Sequence, residues 1–386
     1  MIGDVQSYLQ SVKGIMRCEC IEVLDFWVQR GIDWEEGGIM TCLERDGTVW
    51  DSRKPGWFQG RSLFSFAKGY NDIRQEPKWL EACHNLYEFI CRHLYIPGDP
   101  HGHMYYLLDK QGKGVKQAHN MFSETFAIMG MAEYYKATGN KEVLDRVRRI
   151  YDESMQFYYR NPRFMSEGVL SAEKEKLSLG WYMMCLCSVQ TLRGCDPERE
   201  EEYTRFLKEV CEDVYRFFYD PSIDLFVEVE YDPPGHTCEV LWFMLAEGLY
   251  QKDEKLVRHM ATMTANMMEK CYDFEYGGIP LFKNFYGKPD RMEEWDIRRW
   301  WVEAELLLTL MYAYAGTKDE KYLEWYRMAH EYVFAHFPDR RYGEWFGYLR
   351  RDGTPILDLK GDEMKGPYHL PRCFIAIYNL LDAMGV

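Results

Sequence analysis

No two of the twelve cysteines in this chain stand in a C-x-x-C spacing. The nearest pairs are Cys18/Cys20 and Cys185/Cys187, while Cys83, Cys211 and Cys271 fall in amphipathic helical stretches, where a free thiol packs as a small apolar group. A disulfide framework is not expected, and reduced thiols in a cytoplasmic setting are. The chain also lacks a Walker motif, a strand-borne G-x-G-x-x-G and an H-E-x-x-H, so P-loop, dinucleotide and zinc-protease chemistry have no basis in it. Basic charge is in deficit: 47 Lys and Arg against 62 Asp and Glu leave a net charge of -15. A polyanion would be repelled, which argues against nucleic acid and anionic membrane as partners. No run approaches the length of a transmembrane helix. MIGDVQSYLQSVKGIMRCEC has neither an apolar core nor a small-residue cleavage site, so a protein neither exported nor anchored is expected. No Pro/Ser linker or low-complexity tract interrupts the chain, and residues 1–386 read as one domain.

What is present is apolar and aromatic. Hydrophobic residues make up 47% of the chain and charged ones 28%, enough for a large packed core. The 12 Trp and 29 Tyr are mostly core residues, although aromatic faces also cover the C–H face of a pyranose. Apolar positions recur at helical spacing in nearly every long segment. The pattern predicts helices at 4–30, 57–75, 78–95, 121–137, 141–160, 177–193, 197–219, 235–251, 254–272, 297–315, 319–336 and 369–385.

The connections between them alternate. QEPKWL, TGNKEVL, QKDEKLV and GTKDEKYL are short polar turns with acidic helix starts, and GCDPEREEEY is a variant. The long connections at 35–50, 101–113, 276–288 and 342–354 share a Gly opening, an alternating aromatic run and a Gly turn, the signature of a short β-hairpin. One sixth of 386 residues, about 64, suits one helix pair with its loops. An all-α (α/α)6 barrel of twelve helices is expected, with hairpins in the long loops at one end. An open solenoid is the alternative, disfavoured by the absence of polar terminal caps.

In such a barrel the even-numbered helices form the inner ring, and their N-termini face the long loops. Polar groups gather there: Trp57-Phe58-Gln59-Gly60-Arg61, Phe122-Ser123-Glu124, His236 with Glu239, Arg298 and Trp301 ahead of Glu305, and His369 with Arg372. His236 and His369 suit acid and base work, because imidazole titrates near neutrality and a helix N-terminus favours its neutral form. Glu239, three residues on, would orient His236, bind a sugar hydroxyl, or pair with Arg372 or Arg61. Arg61 would hold a carbonyl or enolate oxygen, or pair with a carboxylate such as Glu124. His101-Gly-His103 has the look of a metal pair but no completing ligand set, and no metal site is expected.

At these residues the chain resembles the N-acylglucosamine 2-epimerases. The likeness is carried by GEWFGYLRRDGTPILDLKGDEMKGPYHLPRC, and by WFQGR, FSETF, PGHTCE and RWWVEAE. It implies an (α/α)6 barrel and reversible 2-epimerisation of an open-chain aldose without redox cofactor. His236 and His369 would exchange the C2 proton from opposite faces and Arg61 would hold the carbonyl end. Glu239 and Glu305 would be acidic site residues, and Ser123 and Glu124 a pocket-lining pair. Trp57, Trp301, Arg298 and Arg372 complete the expected substrate site. A homodimer is implied by the same likeness, whereas an activating nucleotide has no motif. Two departures bear on the substrate: Val302-Glu303 stands where those enzymes carry Pro-His, and 161–178 lacks their Pro-Met pattern. N-Acetylglucosamine and N-acetylmannosamine are the expected pair. Another sugar is the alternative: mannose, a cellobiose-like disaccharide or sulfoquinovose, with epimerisation or aldose–ketose isomerisation as the outcome. A glycoside hydrolase would need two carboxyls rather than two imidazoles. A non-enzymatic binding scaffold would leave the polar constellation without a purpose.

Overall fold

A computed structural model describes residues 2–117, 120–161, 178–228 and 233–386. Among these residues twelve helical stretches appear, each close to its expected place. They are Ile2–Arg30, Gly56–Asp72, Pro77–Phe89, Phe122–Thr138, Lys141–Arg149 with a continuation to Arg160, Leu179–Cys195, Glu200–Phe218, Pro234–Gln251, Glu254–Cys271, Trp300–Thr317, Glu320–His336 and His369–Ala383. The helices after Phe89 and Arg149 run on as π-helical turns, Ile90–Leu94 and Ile150–Met155. No helix among the described residues is long and apolar enough to cross a membrane.

Three short joins have one design. Gly139, Lys252 and Lys318 adopt left-handed φ of 67, 57 and 60° and end one helix. The next residue, Asn140, Asp253 or Asp319, caps the following helix by accepting its free N–H groups.

The chain forms two compact units. One comprises Ile21–Val210 and Lys360–Pro371, the other Met1–Cys20, Cys211–Leu359 and Arg372–Val386. In the first, helices Gly56–Asp72 and Phe122–Thr138 are buried on nearly every side. They meet backbone to backbone: a Cβ on Gly60 would lie 2.4 Å from the carbonyl carbon of Phe126. In the second, helices Pro234–Gln251 and Trp300–Thr317 are buried along most of their length, and Thr309 Oγ1 donates to Cys238 O across 2.8 Å. Helices Glu254–Cys271 and Glu320–His336 bury one face only, as their charged stripes require.

Three of the four expected hairpins form. Cys42–Leu43 pairs with Val49–Asp51, Tyr105–Leu108 with Gly114–Gln117, and Tyr348–Leu349 with Pro355–Leu357. The fourth, 276–288, is not a hairpin. Asn284 Oδ1 instead accepts from Tyr286 and Lys288 N–H to close a local turn, and Leu281 and Phe282 bond back to Ile297 and Trp295. Helix 297–315 likewise starts late, at Trp300, because Arg298–Arg299 is a strand paired with Tyr348–Leu349.

Candidate active site

His236 lies in the first turn of helix Pro234–Gln251, whose opening proline fixes φ and whose Pro233 carbonyl accepts the His236 N–H. Its Nδ1 stands 3.0 Å from the carboxylate of Glu228. Its ring packs 5.6 Å from that of Trp301. Gly235 permits that contact, since a Cβ there would fall 2.5 Å from the indole. A tautomer with Nδ1–H donated to Glu228 would leave Nε2 as the basic nitrogen, on a ring that solvent still reaches.

One turn further along, Glu239 meets Arg372. The guanidinium Nη2 is 2.6 Å from Glu239 Oε1 and 2.5 Å from Glu305 Oε1. Trp242 Nε1 donates to the other oxygen of Glu305 across 2.6 Å, and its ring lies beneath the arginine. All three charged side chains are buried. Of the partners open to it in sequence, Glu239 pairs with Arg372, and the cation between the two carboxylates is this guanidinium.

In the other unit, Arg61 is buried in a box of rings. Its Cζ lies 4.1 Å from the centroid of Phe126, 4.5 Å from Tyr368, 5.3 Å from Phe58 and 5.6 Å from Trp57. The close crossing at Gly60 sets Arg61 against Phe126. Trp57 is braced by Tyr106 and Phe122. The Tyr106 hydroxyl is pushed above its usual range by burial and by Glu363, against the pull of Arg61.

Glu124 is engaged elsewhere than at Arg61. Its Oε1 accepts from Met104 N–H at 2.6 Å and faces His103 Nδ1 at 3.3 Å. Burial draws the His103 value down, yet the bond to Glu124 and its charge carry it above the ordinary imidazole range. Ser123 Oγ donates to Tyr105 O. Both residues thus tie strand Tyr105–Leu108 to the helix start. His101 stacks on Phe157, 3.8 Å away, while His103 faces Glu124, and both imidazoles also meet the ring of Tyr158.

His369 opens helix His369–Ala383, is 8% exposed, and meets the edge of Tyr368 at 5.0 Å. Arg298 is spent on structure: its guanidinium donates to Gly277 O, Asp296 O and the Asp273 carboxylate, and it is buried. The structure thus brings His236, Trp301, Glu239, Glu305 and Arg372 into one unit. Arg61, Trp57, Ser123, Glu124 and His369 belong to the other. Sequence reasoning missed Glu228 and Tyr106. Glu228 lies in a run without helical period, and only the aromatic alternation around Tyr106 marked its strand. The Pro-Met departure at 161–178 falls almost wholly outside the described residues.

Residues 37–373 match the profile of N-acylglucosamine 2-epimerase (GlcNAc 2-epimerase). The N-acylglucosamine 2-epimerase of Mus musculus is 30% identical over 397 aligned residues, covering 97% of this chain and 93% of the mouse protein. The structure of cellobiose 2-epimerase from Spirochaeta thermophila superposes with a TM-score of 0.82 at 20% identity, over 98% of this chain and 99% of that one. A D-mannose isomerase structure does so with a TM-score of 0.80 at 16% identity, over 95% and 97%. These superpositions show the fold, the (α/α)6 barrel expected from the alternating connections. The chain is a carbohydrate epimerase of the isomerase class, and it belongs to the N-acylglucosamine 2-epimerase family.

Proposed function

We propose that the enzyme interconverts N-acetyl-D-glucosamine and N-acetyl-D-mannosamine, with His236 and His369 exchanging the C2 proton on opposite faces. The observation that carries this reading is the His236–Glu228 pair at a helix N-terminus, with the Trp301 ring beside it. A carboxylate on Nδ1 fixes the tautomer and supports the imidazolium that forms when Nε2 takes a proton. Removing H2 from the open-chain aldehyde leaves an enolate (an enediolate where C2 bears a hydroxyl). Its charge builds on the C1 oxygen, where the buried, ring-flanked guanidinium of Arg61 suits it. Returning the proton from the second imidazole inverts C2.

Glu239 and Glu305, fixed by Arg372, supply carboxylate oxygens for sugar hydroxyls, and Trp301 and Trp57 supply apolar faces. No electron is lost in the cycle, and the charge is met by Arg61, so the chemistry needs neither redox cofactor nor metal. A single domain working as a cytoplasmic homodimer completes the reading.

Incubation of the purified enzyme with each N-acetylhexosamine, followed by proton NMR, tests it directly. Appearance of the other epimer supports the assignment. Conversion of mannose or cellobiose alone would move the substrate, and a ketose product would replace epimerisation by a single-base shuttle from C2 to C1. The Val302-Glu303 departure from Pro-His motivates including those sugars.

A further inference from the structure

The two units contain the same loop. Asp33-Trp34-Glu35-Glu36-Gly37-Gly38-Ile39 and Asp273-Phe274-Glu275-Tyr276-Gly277-Gly278-Ile279 share their sequence plan and their bonds. In each, the aspartate Oδ1 accepts from the N–H groups two and three residues on. Both glycines of each pair hold left-handed φ, 84 and 78° in one and 88 and 72° in the other. A cation closes each loop: Lys54 Nζ donates to Gly37 O and pairs with Asp33, as Arg298 donates to Gly277 O and pairs with Asp273.

Five residues beyond each cation, a helix-start side chain reaches back. Gln59 Oε1 accepts from Ile39 N–H at 2.9 Å, and Glu303 Oε1 accepts from Ile279 N–H at 2.9 Å. The fits are equally close, since a Cβ on Gly38 would lie 2.7 Å from Gln59 Oε1 and one on Gly278 2.5 Å from Glu303 Oε1.

The difference lies in the second atom. Gln59 Nε2 donates to Ile39 O and Pro55 O, both at 3.0 Å. The corresponding Glu303 Oε2 is buried and has no hydrogen-bond partner among the described residues. Where the amide offers a donor to carbonyl oxygens, a carboxylate would offer a bare negative charge. Arg298 opposes that charge at a distance but makes no bond to Oε2, because its guanidinium donates to Gly277, Asp296 and Asp273. We propose that Glu303 is held as the neutral acid, its buried Oε2 carrying a proton where Gln59 carries its neutral amide. In that form it is the positioning residue that pins the first turn of helix Trp300–Thr317, with Trp301 and Glu305, to the loop Asp273–Ile279.

Burial, opposed by the charge of Arg298 and the Ile279 N–H, pushes the Glu303 carboxyl up to about 7. The other titratable or charged groups facing it are Arg298, Asp273 with Arg351 behind it, Tyr272, Tyr332 and Cys238. Asp273 is held down to about 2, first through Arg351 and the loop N–H groups, against its own burial. Burial raises Tyr272 to about 12 and lifts Tyr332 and Cys238 as well. Glu303 is therefore the group of this set that changes charge near neutrality. Its folded value exceeds the ordinary 4.5, so its contribution to stability is full below about 4.5 and is lost as pH rises through about 7.

The decisive comparison is the melting temperature of the wild type and Glu303→Gln across pH. The two should coincide near about pH 5, and the variant should melt several degrees higher near about pH 8. A gap that does not change with pH overturns the proposal, as does a variant that fails to fold, because the amide is neutral, nearly the same size and keeps the acceptor for Ile279 N–H. Infrared titration of the wild type needs no variant: a protonated-carboxyl band must persist at about pH 6 and vanish by about pH 9, and its absence at pH 6 contradicts the neutral acid. A third arm rests on the proposed epimerase reading. The alkaline fall of kcat should move to higher pH in Glu303→Gln, and an unmoved limb returns the residue to a purely structural role. Failure to find any sugar substrate would leave the melting and infrared results standing and count against the epimerase reading alone.

Discussion

His236 Nδ1 and the Glu228 carboxylate stand 3.0 Å apart, although eight positions separate them in the chain. If His236 is the base, as proposed, this contact would set its tautomer and make Glu228 its positioning residue. Glu228→Gln should keep the fold and lower C2 proton exchange by roughly 10²-fold, a loss in kcat more than in KM. Exchange measured in deuterium oxide is the readout, and an unchanged rate would detach Glu228 from the chemistry.

Arg372 sits between two buried carboxylates. Arg372→Met would leave Glu239 and Glu305 facing one another without a counter-charge, a loss of roughly 3–5 kcal/mol. Denaturant unfolding measures it, and a loss below about 1 kcal/mol would show that the bridge contributes little. Adding Glu239→Gln and Glu305→Gln to Arg372→Met, a triple variant, should recover part of the loss, because the repulsion is gone.

Arg61 is boxed by four rings, and its planar fork is what an enolate oxygen would meet. Arg61→Lys keeps the charge but not the fork, and turnover should fall by roughly 10²-fold with little change in melting. Near-normal turnover would assign the guanidinium to packing.

Two glycines separate packing from catalysis. Gly60→Ala drives a methyl into the Phe126 backbone, which cannot yield, and should destabilise the fold by roughly 1–3 kcal/mol or more. Gly235→Ala meets the Trp301 ring, a side chain that can turn aside, so it should cost less stability and more turnover. Thermal melting and sugar turnover of the pair, measured side by side, check the expected reversal of order.

The helices with one buried face were legible from their 3.6-residue period, and Asn140, Asp253 and Asp319 announce three caps in sequence. Ends were less legible where tertiary pairing competes. Helix 57–75 stops at Asp72 because Ile73 and Arg74 both bond back to Gly69 O, and Arg298–Arg299 leaves the helix for a strand. At the site, residue types at helix N-termini marked His236, His369, Arg61 and Glu239. They did not reveal commitments: Ser123 and Glu124 hold a strand, and Arg298 holds a loop. Such roles depend on which backbone group lies opposite, and a carboxyl reads the same in sequence whether it meets a sugar or an N–H. Glu228 was illegible for the same reason.

The central claim is that two histidines serve opposite faces of C2. Its most direct test is deuterium incorporation at C2 of N-acetylglucosamine and N-acetylmannosamine, followed by NMR for the wild type, His236→Asn and His369→Asn, each checked for folding by circular dichroism. The account expects the wild type to label both epimers while interconverting them. Each variant should lose net epimerisation, one still exchanging the C2 proton of one epimer without inversion and the other that of the opposite epimer. A folded variant that still epimerises at a near-normal rate, or a pair in which neither exchanges either epimer, would contradict it.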